Sequence, residues 1–203
     1  MGDWYSRGFD KAEEQIAATA TNFTREFFLK ADEEAVIRIL DEEPLNVRDH
    51  FINGKGFFTC TGDEDCPFCQ RGIKGGNHFI FQVVDTREFT AKDGKVYKDQ
   101  VKIWRVGTKV LRLLKKRASR SGPLNTYFIN ASKIGAGQTS TWDIEVLTET
   151  IGKPFELTKD QELYNLEEAL APKSRVEAMG ILNGVSVEKK NDGDDDTIDW
   201  NSK

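Results

Sequence analysis

Residues 50–69 read HFINGKGFFTCTGDEDCPFC and contain all three cysteines of the chain, Cys60, Cys66 and Cys69. One of the two histidines, His50, stands ten residues before the first cysteine, so the spacing is His-x9-Cys-x5-Cys-x2-Cys. Thiolate and imidazole are the ligands that Zn²⁺ prefers in tetrahedral structural sites, where the protein supplies all four. The two residues between the last two thiols allow both to reach one ion. The stretch therefore predicts one structural Zn²⁺ ion bound by His50, Cys60, Cys66 and Cys69.

The fourth ligand has two histidine candidates, His50 and His78. His50 precedes a predicted hairpin whose return would bring it beside Cys60, so we favour it over His78, which opens a later strand. A site closed by an aspartate or by water is the remaining option. A catalytic zinc is not indicated, because neither histidine is followed by glutamate in an HxE or HExxH pattern.

The composition predicts a protein of the reducing cytoplasm. An odd number of cysteines cannot pair completely, and clustered cysteines in such a compartment are more often metal ligands than disulfides. The first fifteen residues are too charged for a signal peptide. The sequence contains no run of about 18 apolar residues, so no membrane span is predicted.

Positive charge is concentrated in residues 92–120. They hold eleven lysines or arginines and two acids, a net charge of +9, which leaves −14 for the rest of a 203-residue chain whose total is −5. A basic block in an acidic protein indicates a polyanion site. Aromatic residues are interleaved with the block, and single-strand binders combine cations for phosphate with flat rings for bases. The predicted contacts are Tyr97, Lys98, Lys102, Trp104, Arg105, Lys109, Arg112 and Lys116.

Two less specific interpretations of this block remain open. Trp104 lies in an alternating strand pattern, VKIWRV, and could instead be a core residue. The charges of the following segment, VLRLLKKR, could be no more than the solvated face of an amphipathic helix.

The periodicity predicts a mainly β protein with one helix between strands. Strands are predicted at residues 22–30, 35–40, 47–52, 57–60, 78–85, 101–106, 124–132 and 139–147. A hairpin turn is predicted at Asp93-Gly94, and a helix over residues 107–120, with Val110, Leu111 and Leu114 on its apolar face. A second helix is predicted from Thr158 to about residue 171, with a possible continuation over 173–182. This order suits a small closed or partly open barrel better than a parallel βαβ sheet.

Both ends of the chain differ from this body. Residues 1–22 predict a frayed terminus with a short helix, or an arm that contacts a neighbouring protomer. Residues 188–203 are acidic and predict a disordered tail. A tail with Asp194, Asp195 and Asp196 before Trp200 could serve solubility alone, or could be bound by a partner protein or by the chain's own basic groove.

The motif and the segments around it resemble the zinc-containing single-stranded-DNA-binding proteins of tailed bacteriophages, the T-even helix-destabilising type. The similarity includes one histidine followed by three cysteines ending in CxxC, the preceding REFFLKADEEAVIRILDE, the strand VKIWRVG, the basic helix VLRLLKKR and the pair of strands around KIGAGQ. It covers residues 23–150 as a layout, and the spacings before the second cysteine are shorter here than in the T-even type.

The resemblance implies an OB-fold barrel over residues 23–150 with an inserted zinc subdomain at about 47–78, a C-terminal helical extension over 151–187 and the tail. It implies that one structural zinc supports the fold, and that the protein binds single-stranded DNA without sequence specificity in phage replication, recombination and repair. The tail would recruit replication and recombination proteins, and self-association on DNA is possible. The location would be the cytoplasm of the host cell, with no membrane partner.

Two other functions compete with DNA binding. The first is a zinc-ribbon adaptor that binds proteins of the replication or transcription machinery. The second is an enzyme such as a nuclease, against which the sequence shows no compact set of metal-binding carboxylates; Asp63, Glu64 and Asp65 read as a turn. We therefore expect a protein that is not an enzyme.

Overall fold

The computed structural model describes residues 25–62, 64–90, 94–158 and 161–184. The predicted N-terminal arm and the acidic tail, including Asp194, Asp195, Asp196 and Trp200, lie outside these ranges, as does Asp93 of the predicted hairpin turn.

An antiparallel sheet of seven strands forms the body of the described chain. Its strands are β1 (Glu33–Ile39), β2 (Leu45–Ile52), β3 (Gly56–Thr59), β4 (Gly75–Asp85), β7 (Gln100–Val106), β8 (Phe128–Ile134) and β9 (Thr141–Val146). A separate two-stranded hairpin consists of β5 (Phe89–Thr90) and β6 (Val96–Tyr97). It flanks the predicted Asp93-Gly94 turn.

The long strand β4 organises the sheet. One of its edges pairs with β2 through residues 75–80 and with β1 through residues 83–85, so β1 and β2 lie end to end along it. Its other edge pairs with β7. Beyond β1 come β8 and then β9, and beyond β2 comes β3. The strands that contribute to the main core are therefore arranged in the order β7-β4-β1-β8-β9.

The sheet curls without closing. Residues 25–27 run along the free edge of β7, where the Phe27 N–H donates to the Ile103 carbonyl at 2.8 Å. The Trp104 and Trp142 rings, from β7 and β9, lie 5.7 Å apart across the interior. Within the described ranges no backbone pairing joins β9 to β7 or to residues 25–27, so the structure shows a curved antiparallel sheet and not a closed barrel.

A single helical turn, α1 (Pro67–Gln70), precedes β4. Helix α2 (Thr108–Ser121) follows β7 in the chain and packs over the interior of the curve against β4, β7 and β9. Val110 and Leu114 are buried in the main core, as their spacing predicts. The helix ends at Gly122, whose φ of +93° is a conformation that glycine adopts without the steric cost of a Cβ. The predicted mid-chain helix is confirmed.

The C-terminal part differs from the sequence expectation. The predicted helix over 158–171 is wrong except for one turn, α3 (Leu166–Ala169), whereas α4 (Arg175–Asn183) begins at a capping box formed by Ser174 and Glu177. Residues 161–165 lie along the sheet instead. The Tyr164 N–H donates to the Gln82 side-chain oxygen at 2.7 Å, a tertiary bond that replaces the bond a helix would make.

Candidate metal centre and nucleic-acid interface

A hairpin and a helical turn bring the histidine and the cysteines together. His50 lies in β2 opposite Phe58 of β3, and Cys60 follows directly after β3. The Cys60 N–H donates to the Arg48 carbonyl at 2.8 Å, which fixes the end of this hairpin beside β2. Cys66 caps a single helical turn, α1 (Pro67–Gln70), which contains Cys69. The two thiols of the CxxC therefore point to the same side as His50.

The four ligand atoms form a compact group, all within 4.8 Å of one another. His50 Nε2 lies 3.4 Å from Cys66 Sγ and 3.5 Å from Cys69 Sγ, and the Cys60 and Cys69 sulfurs are 3.6 Å apart. A tetrahedral Zn²⁺ with ordinary bond lengths separates two sulfurs by about 3.8 Å and a sulfur from a nitrogen by about 3.6 Å. The cluster thus has the dimensions of a site for one metal ion, and its donor set favours zinc.

The environment of Cys66 favours the thiolate that a metal requires. Burial alone would raise the pKa of this thiol, but backbone N–H groups of Cys69, Thr61 and Phe68 and the thiol of Cys60 stabilise the charged sulfur. The net effect is a pKa of about 6, below the ordinary value for cysteine. The sulfur is therefore largely ionised at neutral pH.

The His50 imidazole is fully buried and lies 5.4 Å from the Phe68 ring. Its Nε2 faces the cysteines, and its Nδ1 has no hydrogen-bond partner among the described residues. Metal-bound histidines usually donate a hydrogen bond from the N–H of that second nitrogen to a nearby acceptor. Gly75 lies directly across from His50, and a Cβ there would approach the imidazole Cε1 to 3.2 Å. Glycine at this position leaves room for the ring.

His78 lies outside the cluster. Its Nδ1 is 2.6 Å from the carboxylate of Asp49, and its ring meets that of Phe57 edge to face. Between the two histidine candidates, the structure brings His50 to the cysteines.

The cluster rests on the C-terminal helix. Ile52, Cys66, Phe68 and Ala178 of α4 form one buried apolar group. Arg175 donates to the Gln70 side chain at 3.1 Å, next to the CxxC turn. The CxxC turn, residues 66–69, is therefore packed between β2 and α4, and we call it the knuckle.

The predicted DNA contacts fall into three groups. Lys109, Arg112 and Lys116 are exposed along α2, as the charged face of an amphipathic helix. Tyr97 and Lys98 belong to or adjoin the β5–β6 hairpin. There Tyr97 is half-buried opposite the exposed Phe89, and Lys95 lies over its ring at 4.9 Å.

The third group, Lys102, Trp104 and Arg105 of β7, is already engaged within the protein. Lys102 Nζ lies 2.8 Å from the buried carboxylate of Asp85, and Arg105 pairs with the buried Asp49. Trp104 is only 1% exposed and packs edge to face on Phe27. The expectation that its ring stacks on bases is corrected to the core interpretation, because β7 is covered on both faces.

One aromatic group escaped the sequence analysis. Phe51, Phe57 and His78 lie on the face of β2, β3 and β4 that is turned away from the main core, with ring centroids 5.0 Å and 5.3 Å apart along the series. Each is partly exposed, and the Arg105 guanidinium lies 4.5 Å from the Phe57 ring. We call these three residues the aromatic ledge. Its signal in the sequence is the alternation of Phe51 with the ligand His50, which puts the two on opposite faces.

Comparisons with protein families, with curated proteins and with solved structures find no match to this chain. Among the described residues, no helix has the length and apolar character needed to cross a membrane.

Proposed function

We propose that this protein binds single-stranded DNA without sequence specificity and is not an enzyme. The observation that carries the proposal is the aromatic ledge, which lies on one face of the sheet at the end where the basic helix begins. β7 ends at Val106 opposite Phe79, the neighbour of His78, and α2 starts two residues later. Partly exposed rings and exposed cations thus occur at the same end of the sheet.

The strand order supports this proposal. In β7-β4-β1-β8-β9, with a helix between β7 and β8, the connections match those of a five-stranded OB-fold whose barrel is left open. OB-folds bind oligonucleotides on the outer face of their central strands and through the adjoining loops. The ledge lies on the corresponding face here, at one end of β4, and the β5–β6 hairpin follows the other end of that strand.

The mechanism combines two sequence-independent contributions. Lys109, Arg112 and Lys116 would follow the phosphates, releasing counterions, and the ledge would stack on bases, each ring contributing about 1–3 kcal/mol. Arg105 acts indirectly in this scheme. Paired with Asp49, it packs against Phe57 and holds that ring in place.

The metal would be structural. One histidine and three cysteines supply the four ligands of a closed site, which leaves no position for a substrate. Zinc bound there would hold β2, the β3 end and the CxxC turn together and so fix the wall from which Phe51 and Phe57 project. The resemblance to phage proteins of replication, recombination and repair supports the same function, with the acidic tail as the contact for partner proteins in the host cytoplasm.

Fluorescence anisotropy with labelled oligo-dT and with a duplex of equal length tests the proposal. We expect the single strand to bind at least tenfold more tightly at moderate salt, and Phe51→Ala with Phe57→Ala to weaken that binding. Phe28→Ala, at a 66% exposed ring outside both the ledge and the β5–β6 hairpin, is the comparison variant. A protein that binds neither oligonucleotide would instead favour the zinc-ribbon adaptor, and cleavage of the labelled strand with Mg²⁺ would favour a nuclease.

A further inference from the structure

Residues 161–170 lie across the outer face of the sheet, and we call them the strap. Tyr164, Leu166 and Leu170 pack on an apolar patch formed by Val47, Ile80 and Ile103. These three sheet residues belong to β2, β4 and β7, on the same face as the aromatic ledge. The strap therefore covers the middle of the face that the proposed function assigns to DNA.

Side-chain hydrogen bonds hold the strap in place. The Tyr164 N–H donates to Gln82 of β4, and the Tyr164 hydroxyl lies 3.4 Å from the Val101 carbonyl and accepts from the Arg25 N–H at 3.1 Å. The Thr59 hydroxyl donates to the Leu170 carbonyl at 2.7 Å. Each of these bonds involves a side chain, and along the described strap no ladder of paired backbone groups joins it to a strand.

The strap also separates two groups of aromatic residues. The ledge lies beside the β4 end that contains His78, whereas Phe89 and Tyr97 lie beyond the other end, near Asp85. The seven residue steps from His78 to Asp85 span about 23 Å at the rise of a β-strand. A single strand that contacts both groups would have to cross the surface on which Tyr164 now lies.

We propose that the patch beneath the strap is a further part of the DNA-binding surface, which the strap occupies in the free protein and leaves when single-stranded DNA binds. This inference rests on the proposed function. In this scheme Tyr164 takes the place of a DNA base. Its flat ring packs on apolar side chains, and its hydroxyl group contacts backbone groups of the neighbouring segments. Ligand and strap then exclude each other.

The strap can leave without unfolding the sheet. Tyr164, Leu166 and Leu170 each keep part of their surface in water, so opening exposes less apolar area than loss of a core element. The following helix α4 stays anchored to the CxxC turn through Ala178 and Arg175. The metal centre would thus keep a displaced strap next to the surface it covers.

Oligo-dT affinity of the full chain tests this inference. The double variant Tyr164→Ala with Leu170→Ala destabilises the state in which the strap covers the patch. A larger fraction of the protein is then open, and the apparent affinity of a ligand that binds only the open state rises with that fraction. We expect the affinity for oligo-dT to rise about three- to tenfold. Leu163→Ala is the matched control, since Leu163 lies in the same segment but is 55% exposed. It should bind DNA as the unchanged protein does.

Amide hydrogen exchange supplies a second measurement that needs no substitution. We expect saturating oligo-dT to speed exchange at residues 164–170 while slowing it in β2 and β3. Slower exchange of the strap with DNA, or equal affinities of the double variant and the control, would overturn the inference and leave DNA binding intact. Absence of oligonucleotide binding by every variant would overturn the proposed function and this inference with it.

Discussion

His50 and Asp49 show how adjacent residues of one strand serve opposite faces. Side chains alternate along β2, so His50 faces the cysteines while Asp49 lies beneath the outer face, paired with His78 and Arg105. Both are buried. The two histidines of the chain consequently have different environments, and each can serve as the control for the other.

Substituting the histidines should separate the two environments. We expect His50→Ala to lose the single equivalent of metal, because it removes one of four ligands, whereas His78→Ala should retain it. Atomic emission spectroscopy of the purified variants, together with native mass spectrometry, measures the ratio of zinc to protein. Full zinc content in His50→Ala would contradict the assignment.

Asp85 is a second residue with a specific expected effect. Its carboxylate is buried, and although burial alone would raise its pKa, hydrogen bonds from Arg87 and Lys102 hold that pKa below the ordinary value. A lowered folded-state pKa stabilises the protein above about pH 4, the value of an unfolded aspartate, and that contribution is lost as the pH falls through the folded pKa.

Asp85→Asn should therefore lower the free energy of unfolding by roughly 3–5 kcal/mol at pH 7, because it removes the carboxylate that Lys102 pairs with and one of the two that Arg87 pairs with. The difference from the unchanged protein should shrink below about pH 4. Urea denaturation at pH 7 and pH 3.5 measures it. Asp143→Asn is the control: that carboxylate is 68% exposed and 3.8 Å from Arg117, and the change should cost less than about 1 kcal/mol.

The sequence predicts some of these residues better than others. The grouping of the cysteines with His50 depends on short turns, which the spacing encodes. The roles of Lys102 and Arg105 depend on Asp85 and Asp49, which lie 17 and 56 positions away. The residues meet only when β4 pairs with β7 on one edge and with β2 on the other. The sequence shows that both residues are basic. It does not show that each positive charge is already paired with a buried carboxylate of a distant segment.

At the scale of elements, helix α2 is the segment that the sequence predicts most directly. Its boundaries and apolar face follow from 3.6-residue periodicity and from Gly122 at its end. The strap is the opposite case. Its sequence favours a helix, but bonds to Gln82 and Val101 keep residues 161–165 extended and only α3 is helical, so tertiary contacts override local preference.

The exposed cations of α2 give a test at this scale. Replacing Lys109, Arg112 and Lys116 with glutamine should reduce the slope of log affinity for oligo-dT against log salt by about 2, since each phosphate contact contributes about 0.7 for single strands. Lys102 is left unchanged because it pairs with Asp85. Titrations between low and moderate salt measure the slope.

The matched control removes three other exposed charges, at Lys30, Lys153 and Lys173. It changes the net charge by the same amount and should leave the slope nearly unchanged. An equal reduction in both variants would show that α2 holds no special position on the DNA.

At the scale of the whole molecule, the metal cluster, the outer face and α4 form one continuous structure. The knuckle packs on α4 through Phe68 and Ala178, and the strap that leads into α4 lies over β4. Loss of metal should therefore affect more than the knuckle itself, since structural zinc contributes directly to folding free energy.

Chelation should lower the melting temperature by more than about 5 °C, which corresponds to at least about 1 kcal/mol for a chain of this size. Limited proteolysis should then cut first within residues 61–74, while residues 108–121 stay protected by the main core. Differential scanning calorimetry and mass mapping of the fragments measure both effects. An unchanged melting temperature in protein that has lost its metal would contradict a structural role.

The length of β4 has a consequence for how this fold can vary. β4 aligns β2 and β1 along one edge, with only residues 81 and 82 between the two paired segments. A residue inserted between β1 and β2, over residues 40–44, would be absorbed by the connection. The same insertion at 81 or 82 would turn every following side chain to the opposite face. Insertions and deletions among natural variants should therefore gather in the connection and spare the strand.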